Sequence, residues 1–221
     1  RLLLGHVRFL MLRRGKGGLM REVDWDGNVV WEYTDHGQHH DFRRMENGNT
    51  VYLGWEKMPE DAQMRVQGGL PGTEKDGAIY GDYLREVDAG GKTVWEWHIH
   101  ELDDFERLSL LPSVDRQEFA HANACTPLAD GNVMVSFRRI NTIAIIDRET
   151  KQFRWEMRDD DWGTTHDCEM LSDGHITCFA NGIYTPLNPF SRALEIDPET
   201  KKVVWEYRGQ PTWTFFSPNI S

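Results

Sequence analysis

Glu86-Val-Asp-Ala-Gly-Gly-Lys-Thr-Val-Trp95-Glu-Trp97 has the form of a strand, a turn and a second strand. An apolar residue precedes Asp88, turn formers follow it, and a β-rich run ends in Trp-Glu-aromatic. The form recurs at Glu22-Val-Asp-Trp-Asp-Gly-Asn-Val-Val-Trp31-Glu-Tyr33, at Ile145-Ile-Asp-Arg-Glu-Thr-Lys-Gln-Phe-Arg-Trp155-Glu-Met157 and at Glu195-Ile-Asp-Pro-Glu-Thr-Lys-Lys-Val-Val-Trp205-Glu-Tyr207. The marker Trp stands at 31, 95, 155 and 205, in steps of 64, 60 and 50 residues. The distance from Asp to Trp is 7, 7, 8 and 8. A repeat at such a period points to a radial or stacked architecture.

Three of the four segments are followed by a second hairpin signature, in which an apolar residue leads into Asn-Gly or Asp-Gly and a β-rich run. These are Met45-Glu-Asn-Gly-Asn-Thr-Val-Tyr-Leu53, Leu128-Ala-Asp-Gly-Asn-Val-Met-Val-Ser136 and Leu171-Ser-Asp-Gly-His-Ile-Thr-Cys-Phe179. Asn-Gly and Asp-Gly are strong hairpin signals, since such turns call for positive φ at both turn residues. Two hairpins per repeat make four strands, which is one blade of a β-propeller. The expected fold is therefore all-β: a propeller of four-stranded blades, with about three to four blades present. Grouped by repeat, the blades fall near 19–56, 83–138, 142–182 and 191–221, within a single partial domain spanning 1–221. A β-sandwich fits the regular Asp-to-Trp spacing poorly.

Two segments exceed the basic repeat, Lys57–Asp82 and His98–Phe119, with Glu101–Leu111 read as a short helix. Both are expected to be loops on a propeller face, where ligands are usually met.

Composition narrows the function. With 39% hydrophobic and 11% aromatic residues the 221-residue chain can bury a core, which excludes disorder. Its 36 acidic against 25 basic residues give a net charge of -11, which argues against nucleic acid or an anionic membrane as partner. Cys125, Cys168 and Cys178 are too few for a disulfide scaffold and show no metal-type spacing, though 168 and 178 fall on neighbouring strands. The apolar stretch Leu2–Leu12 is broken by His6 and Arg8, so neither a membrane span nor a signal peptide is expected there. The chain begins at Arg1 and ends without a closing element, which reads as part of a longer protein and leaves the compartment open.

The histidines fall in register with the repeat. His40 precedes Gly48 by eight residues, and His166 precedes Gly174 by eight. In the second copy that slot is Asn123, eight before Gly131, with His121 two residues earlier and so on the same strand face. Equivalent positions near the start of an inner strand converge on the propeller axis. Arg138 follows the β-rich run 133–137, on the strand paired with the one carrying His121 and Asn123. Turned inward, it is a clamp for a tetrahedral oxyanion. Three imidazoles, an amide and a guanidinium suit a sulfate or phosphate ester, with a neutral imidazole as nucleophile. A zinc or copper site is the rival reading. It lacks short-spaced carboxylates, since Asp41 and Asp167 should face the other side of the strand. His36, His39, His98, His100 and His175 read as surface or loop residues, and His98-Ile-His100 is only a weak metal pair.

These residues resemble the bacterial arylsulfotransferase family from Gly18 to Ser221. The carriers are Gln38-His-His-Asp-Phe42 with Asn47-Gly-Asn-Thr50, His121-Ala-Asn123 with Val135-Ser-Phe-Arg138, and His166-Asp167 with Asp173-Gly174 and Asn181-Gly182. The sequence departs from the expected pattern at Thr164-Thr165, where a more polar approach to His166 is anticipated. The resemblance implies six blades and a nucleotide-independent transfer of a sulfuryl group from an aryl sulfate donor to a phenolic acceptor, through a sulfated histidine. By motif position His166 is the nucleophile, while His40, His121, Asn123 and Arg138 bind and polarise the sulfate. The leaving phenolate then takes its proton from His40 or His121, and Trp162, Trp213, Phe215 and Phe216 are candidates to stack on the phenol. No cofactor and no metal are implied. A periplasmic or otherwise extracytoplasmic location is implied, with the cytoplasm left open. The oligomeric state is open, a homodimer included.

Two other readings stand beside it. One is a non-catalytic propeller acting as a binding or assembly module through the segments 57–82 and 98–119. The other is a quinone-cofactor propeller, for which the sequence offers no vicinal cysteine pair to stack the quinone.

Overall fold

The structure is a computed structural model that describes residues 2–6, 18–183 and 189–218, the first five by their backbone alone. The apolar stretch over 2–12 therefore lies outside the described residues from 7 onward, as do the final three residues of the 191–221 repeat. Among the described residues no helix is long and apolar enough to cross a membrane.

The first sheet joins β1 (Leu2–His6), β2 (Leu19–Val23) and β3 (Val29–Thr34). The second is built on β4 (Gln38–Arg44) and β5 (Thr50–Lys57). The chain then makes helix α1 (Glu60–Arg65) and strand β6 (Gly68–Leu70), and returns with β7 (Tyr80–Val87) and β8 (Thr93–His98). After β9 (Leu110–Asp115), β10 (Glu118–Phe119) adds itself parallel to β7. The third sheet is β11 (Ala122–Pro127), β12 (Val133–Phe137), β13 (Thr142–Ile146) and β14 (Phe153–Arg158). The fourth is β15 (Thr165–Met170), β16 (Ile176–Ala180), β17 (Arg192–Asp197) and β18 (Lys202–Tyr207). This is the all-β, four-stranded-blade architecture of a β-propeller.

Each blade takes its inner hairpin from an Asn/Asp-Gly signature and its outer hairpin from the Trp-Glu segment that follows. The sheets thus span 38–98, 122–158 and 165–207, half a repeat later than the grouping by sequence, in which the Trp-Glu hairpin came first. Adjacency in sequence says which hairpins alternate but not which pair through hydrogen bonds.

The turns explain the repeat spacing. In the Gly turns only the glycine takes positive φ, 88° at Gly27 and 84° at Gly91, rather than both turn residues. They are type I turns closed by a glycine bulge, with Gly27 N–H on the Asp24 carbonyl and Gly91 N–H on that of Asp88. In the other two copies a lysine, Lys151 or Lys201, adopts the left-handed conformation one residue later. That extra residue is why Asp-to-Trp is 7 in two copies and 8 in the others.

Apolar side chains fill the spaces between consecutive sheets. Met20, Trp31, Tyr52, Tyr83 and Val87 form one layer, and Met134, Ile143, Cys168, Ile176 and Leu194 belong to another. The central strand β12, Val-Met-Val-Ser-Phe, is buried throughout and therefore reads as a continuous run instead of alternating. The marker Trp side chains tie blades together: Trp95 donates its indole N–H to the Arg148 carbonyl at 3.0 Å, and Trp155 donates to that of Pro198 at 2.8 Å.

The two long segments are not open loops. Met58, Ala62 and Val66 from the first pack with Leu102, Phe105, Leu108 and Leu110 from the second in the largest core, and β6 pairs with β9. The helix expected over Glu101–Leu111 is replaced by separate single turns, Ile99–Glu101 and Phe105–Arg107, the first ended by Leu102 in extended conformation.

Candidate functional site

The inner strands β4, β11 and β15 lie side by side, and each is bulged near its start. One residue is extra in β11, between Ala122 and Ala124, and one in β15, between His166 and Glu169; β4 carries two between Gln38 and Phe42. His40, His121 and Asp167 have φ of 50°, 57° and 52° there. Bulges re-aim side chains and break the two-residue alternation on which a strand's faces are read. Asp41 and Asp167 accordingly share one concavity of about 250 Å³ with His40, Arg43, Asn123, Ala124 and His166. The expectation that both aspartates face away is thus corrected. So is the pairing of His121 with Asn123 on one face: Asn123 lines the concavity, and His121 sits behind His40, their rings 4.9 Å apart.

His166 is buried, and its Nδ1 is 2.5 Å from Asn181 Oδ1. Asn181 is itself oriented, because its Nδ2 donates to the Ser217 carbonyl at 2.8 Å. Its oxygen must therefore face the imidazole, so His166 carries its proton on Nδ1 and leaves Nε2 bare. Burial first, and then the charge of Arg138, lower the His166 pKa, while the Asn181 contact raises it. Thr164, at φ 81°, supplies its carbonyl to Asn181 N–H and its hydroxyl to Asn181 Oδ1. The Thr-Thr departure thus supports Asn181. Gly182 follows with φ 70°, and a Cβ there would meet the Phe190 carbonyl oxygen at 1.9 Å. Only glycine fits that turn.

His39, read from sequence as a surface residue, is fully buried. With His40 in the left-handed region, the two consecutive rings meet instead of diverging, Nδ1 to Nδ1 at 2.8 Å. His39 stacks on Trp55 at 3.9 Å, and its Nε2 is 3.4 Å from Asp82 Oδ1. Asp82 is fully buried, takes hydrogen bonds on Oδ1 from Trp55 Nε1 and Ala122 N, and has no hydrogen-bond partner on Oδ2 among the described residues. Burial pushes its pKa up to about 7. His121 holds Glu118 Oε2 on Nδ1 at 2.7 Å, with Nε2 buried and without a hydrogen-bond partner among the described residues; Glu118 is likewise raised by burial to about 7. His40 is exposed at the concavity, and the protein packed around it, then the charges of His39, His166 and Arg138, lower its pKa. Burial does the same to His121.

Arg138 comes one residue past β12 and opens a 3₁₀ turn, its N–H on the His121 carbonyl. Its charge reaches His40, His121 and His166. The next residue, Arg139, instead clamps Asp115 through both guanidinium nitrogens, at 2.7 and 3.1 Å. Asn123 bridges two blades: Nδ2 donates to the Thr165 carbonyl at 2.6 Å and Oδ1 accepts from Ser136. One amide hydrogen remains for a ligand. Asp41 is tied to Cys125 N–H and to Arg43, which also reaches Glu169 at 2.9 Å.

The structure therefore brings His40, Asn123 and His166 to one concavity, with His121 and Arg138 close behind. Sequence reasoning missed His39, Asp82, Glu118 and Asn181. Of these, only the Asn181-Gly182 pair and the doubled histidine left a signal. The aromatic candidates separate: Trp162 is fully buried, Trp213 is 74% exposed, and Phe215 packs on Phe179 and Tyr207. His98 and His100 both face Glu56, at 2.5 and 3.7 Å. Asp173 and His175, at the turn between β15 and β16, and Glu195 on β17 bring three donor atoms within 4.8 Å, apart from the residues that line the concavity. The three cysteines are free and buried.

Residues 7–164 match the family model described as arylsulfotransferase (ASST). Among solved structures, a protein of unknown function from Bacteroides caccae is similar over 94% of this chain and 73% of its own, at 14% identity and a TM-score of 0.47. The Dos1 propeller is similar over 87% of this chain and 44% of its own, at 14% identity and a TM-score of 0.43. Dihydro-heme d1 dehydrogenase NirN, in complex with DHE, is similar over 88% of this chain and 33% of its own, at 13% identity and a TM-score of 0.43. No curated protein matches the sequence.

Proposed function

The chain belongs to the arylsulfotransferase family, and on that premise we propose that it moves a sulfuryl group from an aryl sulfate to a phenol through a sulfated His166. The observation that carries the reading is the orientation of His166. Its Nδ1–H is held by Asn181 Oδ1 at 2.5 Å, and burial beside Arg138 favours the neutral ring. A neutral imidazole with a bare Nε2 is the attacking form of the nucleophile.

In the donor half-reaction Nε2 attacks sulfur, an N–S bond forms, and the S–O bond to the aryl group breaks with its electron pair on the phenolate. The positive charge of Arg138 and the free amide hydrogen of Asn123 stabilise charge on the sulfuryl oxygens. The phenol acceptor then attacks the same sulfur and regenerates His166. His40 lines the same concavity and, on this reading, serves the aryl oxygen as it departs and arrives.

The test is direct. Wild-type protein given 4-nitrophenyl sulfate and a phenol should carry out transfer, and mass spectrometry should find sulfate on His166 when the acceptor is withheld. Replacing His166 by Ala or Asn should abolish both. Unchanged turnover in either variant would remove the assignment, and a wild type that neither transfers nor accepts sulfate would favour a binding module.

A further inference from the structure

Transfer between phenols needs a group that gives a proton to the departing phenolate and takes one from the incoming phenol. His40 is the ring placed for it, yet a charged imidazolium is disfavoured there beside His39, His166 and Arg138. A neutral ring can still donate if a second group returns the proton from behind. We propose that His40, His39 and Asp82 form a proton relay from the concavity to a buried carboxyl, with His39 and Asp82 acting as positioning and proton-storing residues. This rests on the sulfotransfer reading of the site.

The groups stand in line from the concavity inward, with the innermost contact longer than a hydrogen bond. His40 reaches the concavity, its Nδ1 meets His39 Nδ1 at 2.8 Å, and His39 Nε2 lies 3.4 Å from Asp82 Oδ1. The last contact is long, as catalytic hydrogen bonds often are before substrate closes the site. Trp55 holds both ends: its ring stacks on His39 at 3.9 Å and its N–H fixes Asp82. An ionised Asp82 leaves a charged Oδ2 buried and unpaired among the described residues, which is costly, and protonation lowers that cost by removing the charge. A carboxyl with a pKa of about 7 exchanges a proton near neutrality.

The protons balance. In the acid state Asp82 is protonated, His39 carries its proton on Nδ1 and His40 on Nε2. The departing phenolate takes the Nε2 proton of His40. His40 Nδ1 then takes the proton from His39 Nδ1, and His39 Nε2 takes the one from Asp82. Both rings change tautomer and neither becomes cationic. In the acceptor half-reaction the phenol proton travels the same path backwards and restores the acid state, so the cycle needs no outside acid. The charged and titratable groups around Asp82 are His39 on β4, Glu118 on β10, His121 before β11 and Arg139 after β12.

The test compares two donors that differ in leaving group, 4-nitrophenyl sulfate and phenyl sulfate, in wild type and in Asp82→Asn. Turnover is read as a single round of phenol release and His166 sulfation while the acceptor is withheld, so that the acceptor step does not enter. The amide keeps an oxygen for Trp55 and Ala122 but cannot store a proton. Turnover of phenyl sulfate should fall on the order of 100-fold, as expected for a lost acid–base step. Turnover of nitrophenyl sulfate, whose phenolate leaves unaided, should fall far less. An equal fall for both donors, or none for either, would overturn the relay.

If Asp82→Asn does not fold, the same comparison in His39→Gln decides. If neither folds, infrared difference spectra of wild type should show a protonated carboxyl band that disappears when His166 is sulfated and phenol leaves. Absence of that change would overturn the relay. A wild type without sulfate on His166 would instead remove the reading beneath it.

Discussion

The Nδ1 atom of His166 lies 2.5 Å from Oδ1 of Asn181, fifteen residues on, and this contact decides which ring nitrogen faces the concavity. Asn181 can hold it because Thr164 and Ser217 fix the amide from two further sides.

Replacing Asn181 by Ala should therefore lower kcat about 10- to 100-fold, the usual cost of removing the partner that orients a reactive histidine. Replacing it by Asp gives a sharper readout. On the proposed mechanism the neutral ring is the reactive form, and its pKa is depressed, so activity should be lost only as pH falls through that low value. A carboxylate in place of the amide raises the pKa by about one unit or more. The acid limb of the kcat/KM profile should move to higher pH by that amount. An acid limb that stays in place would show that residue 181 only fills space.

How much of this was legible depends on what a sequence pattern encodes. The blades were readable because Asp24, Asp88, Asp147 and Asp197 each start a tight turn seven or eight residues before a Trp. The register of His40, Asn123 and His166 with their hairpin glycines also located the concavity. What alternation cannot encode is the left-handed backbone at His40 and Asp167, which puts Asp41 and Asp167 on the wrong face in any period-two reading. His39, read as a surface or loop residue, is brought against His40 by the same left-handed backbone, which a regular strand would not do. Asp82 was invisible because its role comes from burial beneath a neighbouring strand. No local pattern reports that.

Buried groups of opposite sign should shape stability against pH. His121 and His166 have depressed pKa values in the folded protein, so the unfolded chain binds their protons more readily below about 6.5. Each removes stability on acidification, by up to about 1.4 kcal/mol per pH unit. Asp82 and Glu118 do the reverse. Raised to about 7, they are protonated in the folded state between pH 7 and their ordinary values near 4, and stability rises as pH falls through that window. The two pairs offset one another in wild type. Asp82→Asn removes one stabilising contribution, so its stability should fall more steeply between pH 7 and 5, by up to about 1.4 kcal/mol per pH unit. Urea denaturation at pH 7, 6 and 5 measures this. Equal slopes in the two proteins would mean that folded Asp82 holds no proton.

The tryptophan ladder separates equivalence in sequence from equivalence in energy. Trp155 and Trp205 occupy the same place in consecutive repeats. Trp155 donates to the Pro198 carbonyl of the next blade at 2.8 Å and lies under the Lys201 ammonium, 5.8 Å from its ring. Trp205 is 52% exposed and makes no such hydrogen bond among the described residues. Trp155→Phe removes the donor and leaves a half-buried carbonyl without it, at a cost of about 1–2 kcal/mol. Trp205→Phe changes an exposed ring for a smaller one and should cost under about 0.5 kcal/mol. Chemical denaturation of the two variants side by side gives the comparison. If the losses are equal, the interblade hydrogen bond contributes nothing net, and what selects Trp at this position is ring area alone.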